Sequence, residues 1–426
     1  MTELENYLCT LRTFGVRPGL ENTLNAVSAL KARYPGLPEP KFLHIAGTNG
    51  KGSTCAFLDS ILKEAGLKRG LFTSPHLVDL RERIKIDGEM IGEKRFEELA
   101  LEVKAVGDGL TFFEYLTVLA WLYFYLEGCE YVVWETGLGG RLDATSAIKP
   151  FVTAITGIGL EHTQYLGHTI AEIAREKAGI IRPNVPLFHT AEGEAKEVIE
   201  KEAVSLNASC CYVKYEEGLI QPDKYFVSLP EIGIYNAQLG LLGHYQYKNA
   251  ALAISIANYL NIDTISILNG IKHAVWPGRF QILNKVPLTI LDCAHNAQGW
   301  QALRESLEEI RPGETWHIYF GMLAEKDPKL ALNILAPIAE TMSYIEPQNE
   351  RKLSLKEWRE NVAEIYPGDP RFAKGFQSAK EALDDIRIIS EGNIIICGSC
   401  YMAGEILAIL SGKVRDNSKD DPVGRK

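Results

Sequence analysis

The chain has 426 residues, with 45 Lys or Arg against 55 Asp or Glu and a formal charge of −10, so it lacks the basic excess of a general nucleic-acid binder. Apolar residues make up 46% and charged residues 23%, the ordinary globular mix, which excludes disorder, collagen and coiled coil as the main architecture. The length allows two or three domains at roughly 100–200 residues each.

Residues 20–34 read as a helix ended by Tyr34-Pro35-Gly36. Lys41–Ala46 is a short apolar strand, followed by a Gly-rich turn and a helical pattern from Ser53 to Ala65 that Gly66 stops. Leu71–Phe72 reads as a strand end. Residues 93–106 and 113–127 read as helices, the second apolar nearly all round and therefore buried. Tyr131–Trp134 and Phe151–Ile155 are buried strands, Thr169–Ala178 a helix, Pro186–Phe188 a short strand and 193–205 a helix. Strands alternating with helices predict a parallel sheet covered on both faces. Residues 208–235 break the rhythm and read as short strands and turns, an antiparallel flap. Residues 245–260 and 264–274 return to helix.

Trp276-Pro277-Gly278-Arg279 reads as a domain boundary. Beyond it the alternation restarts: strand 288–291, helix 297–310, strand 315–320, helix 329–338, strand 341–345, helices 354–362 and 376–386, strand 393–396 and helix 401–411. The expected fold is α/β: a P-loop-containing parallel-sheet ATPase domain over 1–278 and a smaller Rossmann-like α/β domain over 279–412. The polar tail 413–426 reads as disordered.

The most apolar helical run, Leu116–Leu126, is about half the roughly 20 residues of a bilayer span. The opening MTELENYLCTLRTFG carries acids early and has no signal-peptide apolar core, which points to a cytoplasmic chain with no membrane partner. The eight cysteines read as reduced thiols. Cys397 and Cys400 fit C-x-x-C, but no second pair completes a zinc site.

The strongest local signal is the segment His44–Thr54, containing Gly47-Thr48-Asn49-Gly50-Lys51-Gly52-Ser53. It joins a strand to a helix. Glycines let several N–H groups turn into one concavity, and the helix adds its positive N-terminal end. Lys51 adds a point charge for the outer phosphates of a nucleotide triphosphate. The usual loop is G-x-x-x-x-G-K-[ST]; here Gly47 lies only three residues before Gly50, and Gly52 separates Lys51 from Ser53.

A magnesium–nucleotide enzyme needs oxygen ligands near the phosphates. The apolar strand Tyr131–Trp134 ends in Glu135, and parallel strands present their C-terminal ends to the ligand crevice. Glu135 reads as a group approaching the metal or as a helix-capping carboxylate. Ser74, in Thr73-Ser74-Pro75-His76, offers an oxygen after another strand end. His162, in Gly159-Leu160-Glu161-His162, offers a nitrogen or is a structural histidine. Lys177, near a helix C-terminus, reads as a cation complementing the helix dipole.

With these residues in view, the chain resembles the folylpolyglutamate synthase/dihydrofolate synthase family of the Mur ligase superfamily. The resemblance covers nearly the whole chain. Its marks are Arg17–Glu21, the loop Gly47–Ser53, Thr73–Leu77, Glu135–Asp143, Gly159–His162, Lys177-Ala178-Gly179, His244–Asn249, Trp276–Arg279, Asp292–His295 and Gly398-Ser399. Glu325-Lys326-Asp327 departs conservatively from a motif that is often Asp-Lys-Asp. The resemblance implies that Ser74, Glu135 and His162 are magnesium ligands. It places Thr48, Asn49, Gly50, Lys51, Gly52, Ser53, Asn249, Arg279, Asp292 and His295 around ATP, in the cleft between two domains. It also implies that Lys177 is carbamylated, which turns a cation into an anion able to serve a second magnesium.

For the pterin-bearing substrate the resemblance suggests Pro18–Leu20, Thr111-Phe112-Phe113-Glu114 and Leu142-Asp143-Ala144. Phe112 and Phe113 are expected either to stack on a flat heteroaromatic ring or to pack in the core of a buried helix. Asp143 is expected to accept hydrogen bonds from the ring. The implied reaction is phosphorylation of a substrate carboxylate by ATP and attack of the L-glutamate amine on the acyl phosphate, on dihydropteroate, on reduced folates or on both, by a monomer. The alternatives are folate polyglutamylation only, a cell-wall Mur ligase, and a P-loop nucleotide-dependent regulator with little turnover.

Overall fold

The structure, a computed structural model, describes residues 7–8, 10–11, 19–221, 224–415 and 420. The first sheet contains β1 (Lys41–Ala46), β2 (Arg69–Phe72), β3 (Ile84–Ile86), β4 (Glu89–Met90), β5 (Tyr131–Glu135), β6 (Pro150–Ile155), β7 (Leu187–His189) and β8 (Cys210–Tyr212). Their spatial order is β4-β3-β2-β5-β1-β6-β7-β8. The six strands from β2 to β8 in that order are parallel, and β3 and β4 add an antiparallel edge. Alternation along β5 shows why both faces are covered. Val132 and Trp134 pack toward the helix Phe112–Leu126, and Val133 packs into the opposite cluster with residues of the helices Lys51–Glu64 and Gln246–Tyr259.

The break in rhythm is an antiparallel sheet of β9 (Glu216–Gln221), β10 (Lys224–Leu229) and β11 (Ile234–Gln238). Cys210–Tyr212, expected in that flap, instead extends the large sheet. The second α/β unit holds β12 (Gln281–Lys285), β13 (Leu288–Leu291), β14 (Trp316–Phe320), β15 (Ala339–Ile345), β16 (Gly375–Phe376) and β17 (Asn393–Cys397), ordered β12-β13-β17-β14-β15-β16. It is parallel except for β12 against β13.

The phosphate-loop helix starts at Lys51, two residues earlier than the periodicity suggests, because Gly50 at φ 92° turns the chain directly into it. Strands β3, β4, β12 and β16 escape the sequence reading because they are short, marginal and not uniformly buried. The expected disorder of 413–426 falls, apart from 413–415 and Asp420, outside the described residues. No helix among the described residues is long and apolar enough to cross a membrane.

Candidate active site

Four loops leave the carboxyl ends of the neighbouring strands β2, β5, β1 and β6, the crevice where open parallel sheets hold ligands. The loop after β1 cradles a concavity because its glycines are required there. A Cβ at Gly47 (φ 152°) would lie 1.8 Å from Thr156 Oγ1, and one at Gly50 2.2 Å from Asn249 Oδ1. A Cβ at Gly52 would meet Trp276 Nε1 at 2.9 Å. The departure from the usual G-K-[ST] thus has a packing cause: Trp276 lies against the first helical turn. The hydroxyl of Thr48 donates to Gly159 O at 3.1 Å and accepts from Gly159 N–H at 3.0 Å, which pins this loop to the one carrying His162. Lys51 Nζ donates to Gly47 O and Thr48 O. Ser53 accepts from Gln246 Nε2, and Gln246 also accepts from Asn249 Nδ2.

Glu135 closes β5 at 3% exposure and accepts the Ser74 N–H at 2.9 Å. Burial pushes its carboxyl up to about 7, against the pull of Lys51 and the Ser74 N–H. His162 sits at the head of the loop in the left-handed region, φ 51°. Burial takes its imidazole down to about 4, so it is neutral at physiological pH and able to donate a lone pair. Among the described residues no three His, Cys, Asp or Glu side chains converge as a preformed metal cluster. A site of one carboxylate, one hydroxyl and one imidazole fits a hard cation that takes its remaining ligands from phosphates and water. Lys177 is not on the cleft wall. It is 4% exposed beneath the phosphate loop, donating to Gly47 O at 2.8 Å. Burial, reinforced by Lys51, takes its amine down to about 7.

The other wall comes from the second unit. Asp292, at the end of β13, is 2% exposed and accepts from Tyr245 OH, Phe280 N–H and Ala294 N–H. His295 donates from Nδ1 to Cys293 O at 2.8 Å and from Nε2 to Glu161 at 3.1 Å. Burial opposes its charge, but Glu161 and Cys400 raise it to about 10, so it is a cation. Glu161 also meets Lys326 at 3.2 Å. Asn49 and Asn296 exchange amide hydrogen bonds of 3.3 and 3.0 Å across the cleft. Glu161, Lys326 and Asn296 were missed as site residues by the sequence reading. The only signals were the adjacency of Glu161 to His162 and the Glu325–Asp327 motif.

At the far end Phe113, Thr111, Glu114, Leu138, Leu142, Asp143 and Ala144 line the cavity. Phe112 does not: it is fully buried in the helix core, because successive residues at a helix start diverge by about 100°. Its expected contact with the ring is therefore corrected to a packing role. Thr111 and Glu114 form a capping box for this helix, Glu114 accepting the Thr111 N–H at 2.7 Å. Asp143 accepts from Gly137 N–H, Leu138 N–H, Thr145 N–H and Thr145 Oγ1. Four donors fill the acceptor positions of its carboxylate. Asp143 therefore organises the loop from β5, and a ring N–H there would share an acceptor already in use. Of Pro18–Leu20, Pro18 lies outside the described residues.

Together the two walls enclose a cavity of about 730 Å³ lined by Lys51, Ser74, Glu135, His162, Asn249, Arg279, Asp292 and His295. A phosphate loop on one α/β unit facing a buried acid–cation set on another is the build of a Mur ligase. Residues 45–257 match the Mur ligase middle domain and 278–400 the Mur ligase glutamate ligase domain.

The chain is 33% identical over 420 residues to the dihydrofolate synthase/folylpolyglutamate synthase of Bacillus subtilis, covering 92% of this chain and 95% of that one. It is equally identical to a probable bifunctional folylpolyglutamate synthase/dihydropteroate synthase of Haloferax volcanii, over 95% of this chain, but spans only 50% of that longer protein. The structure of E. coli FolC with DHPP and ADP superposes with a TM-score of 0.85 at 29% identity, covering 96% of this chain and 98% of that one. A bifunctional folylpolyglutamate synthase/dihydrofolate synthase with Mn, AMPPNP and L-glutamate bound gives 0.82 at 30% identity, covering 96% and 98%. The chain belongs to the dihydrofolate synthase/folylpolyglutamate synthase family.

Proposed function

We propose that the cleft ligates L-glutamate to a pterin-bearing carboxylate at the expense of ATP, using dihydropteroate, the γ-carboxylate of reduced folates, or both. The observation that carries this reading is the shared cavity: the phosphate loop with Lys51 opens onto the same space as Asp292, His295 and the Phe113 wall. The same reading divides the chain into an ATP-binding domain over 1–278 and a ligase domain over 279–412. The same reading takes the chain to act as a monomer.

ATP lies along the loop N–H groups of Thr48–Ser53, with Asn249, Arg279 and Asp292 around the rest of the nucleotide. Lys51 faces the outer phosphates. An oxygen of the acceptor carboxylate attacks the γ-phosphorus; the bond to ADP breaks and an acyl phosphate forms. The glutamate amine attacks the acyl carbon, phosphate leaves, and an amide remains. Lys51 and the loop dipoles offset charge developing on the transferred group. Ser74, Glu135 and His162 would hold Mg²⁺, which would neutralise phosphate charge. His295 is protonated and acts as a cation rather than as a base.

A Lys177 amine near 7 is substantially unprotonated at neutral pH, the form that adds to carbon dioxide. Carbamylation gives it the anionic oxygens a second ion requires. Lys326 and Arg351 also line the cavity and supply positive charge for the glutamate carboxylates. Phe113, Leu142 and Ala144 form the apolar wall for the pterin.

Purified chain, ATP and labelled glutamate are incubated with dihydropteroate or a reduced folate. Incorporation dependent on the acceptor supports the ligase. Nucleotide-dependent binding with no incorporation into either acceptor supports the regulator.

A further inference from the structure

Two thiols that ligation does not use meet behind the cleft wall. Cys293 follows Asp292 after β13, and Cys400 opens the helix Cys400–Leu410 after β17. Strands β13 and β17 are parallel neighbours, so their carboxyl-end loops lie side by side. The Cys400 side chain reaches the backbone of Cys293. Cys400 Sγ is 3.9 Å from Cys293 O and 3.9 Å from His295 Nδ1. Cys293 is 2% exposed, whereas Cys400 is half-buried and reaches the cavity.

We propose that Cys400 is an oxidation site for a hydroperoxide and that Cys293 is the thiol that resolves it to a disulfide. In the first step the Cys400 thiolate attacks a peroxide oxygen. A sulfur–oxygen bond forms, the oxygen–oxygen bond breaks, and the leaving hydroxide takes a proton to become water (or an alcohol, from an alkyl hydroperoxide). Cys400 is oxidised by two electrons to the sulfenic acid and the peroxide is reduced. Cys293 then attacks the Cys400 sulfur; the disulfide forms, the sulfur–oxygen bond breaks, and a second water leaves. A dithiol reverses the bond.

Three features around Cys400 favour its thiolate: the first turn of a helix, the His295 cation, and Arg279. Contact with Cys293 and His295 holds Cys400 well below the usual thiol range against its burial, and the same pairing together with burial holds Cys293 above it. The other described cysteines lack this setting. Cys55, Cys129 and Cys397 are buried and raised, and exposed Cys210 and Cys211 are also raised by partial burial. A cross-link from Cys293 to Cys400 would tie the Asp292–His295 loop to the helix and pull Cys400 away from His295. The consequence for turnover rests on the ligase reading; the thiol chemistry does not.

The test is peroxide treatment of the full chain, thiol alkylation, and peptide mapping without reduction. The expected product is a Cys293–Cys400 disulfide removed by dithiothreitol. ADP binding and glutamate incorporation should each fall about tenfold or more and return on reduction. Cys400→Ser should show the same rate before and after peroxide, and in Cys293→Ser the Cys400 sulfenic acid should be trapped by dimedone. A disulfide between Cys397 and Cys400 or between Cys210 and Cys211, no disulfide, or unchanged ADP binding in the cross-linked protein overturns the proposal. Formation of the expected bond in a chain that incorporates no glutamate upholds it and removes the ligase reading instead.

Discussion

Replacing Glu135 with glutamine should stabilise the nucleotide-free protein while removing its activity. The carboxylate sits at the end of a buried strand, accepts one N–H from Ser74, and has its pKa pushed up from 4.5 to about 7. Holding it ionised therefore costs the fold roughly 3 kcal/mol at full ionisation. The sign follows from linkage. A carboxyl with a raised folded pKa binds its proton more tightly in the native state, so stability is lost as pH rises from about 4.5 through about 7 and stays lost above. Glutamine keeps an acceptor for the Ser74 N–H and never ionises. In urea titrations without nucleotide or divalent cation, Glu135→Gln should match wild type near about pH 4.5 and exceed it by roughly 2–3 kcal/mol near about pH 8. In the ATP-dependent assay the same variant should fall by about a hundredfold or more and lose its magnesium response. A variant no more stable than wild type at the higher pH, or one with wild-type rate and magnesium dependence, would refute the reasoning.

Lys51→Ala should abolish product formation with little change in melting temperature, since Lys51 donates to two carbonyls of its own loop and its favourable pull on Glu135 is opposed by its repulsion of Lys177; calorimetry beside the glutamate assay checks both halves. Phe112→Ala and Phe113→Ala should behave oppositely. The first should cost roughly 3–5 kcal/mol of stability, and the second should raise the pterin KM by up to about tenfold with little loss of stability. Asp143→Ala leaves four donors without their acceptor and should cost roughly 3 kcal/mol in denaturant, with a weaker pterin KM and ADP affinity largely kept by calorimetry. Carbon-13 NMR with labelled carbon dioxide should show a carbamate signal that Lys177→Ala lacks; a bare amine in the active, metal-loaded enzyme contradicts the carbamate.

The buried central strands and the phosphate loop are legible in the sequence because each follows from local rules. Phe42–Ala46 is apolar except for His44, and Tyr131–Trp134 is apolar throughout, the pattern of a sheet covered on both faces. The loop joins a strand to a helix with glycines and one lysine. Thr111 and Glu114, expected at the pterin, have polar groups that suit a ligand and a helix cap alike, and only the closed hydrogen bonds assign them to the helix. Phe112 and Phe113 are indistinguishable by composition; the helical phase that buries one fully and leaves the other half-buried on the cavity is set by what packs against Leu116 and Trp121. Gly52 looks like a defect in the phosphate loop until Trp276, more than two hundred residues later, is seen against it. The Glu161–His295 contact joins loops of different sheets, and no periodicity reports a pairing across that distance.

The central claim is ligation through an acyl phosphate. Its most direct test uses dihydropteroate or reduced folate labelled with oxygen-18 in the reacting carboxylate, with ATP and unlabelled glutamate. The account predicts one labelled oxygen in the inorganic phosphate for each amide formed. Phosphate that takes its oxygen from water alone while amide accumulates, or that is released at the same rate without acceptor and glutamate, would contradict it.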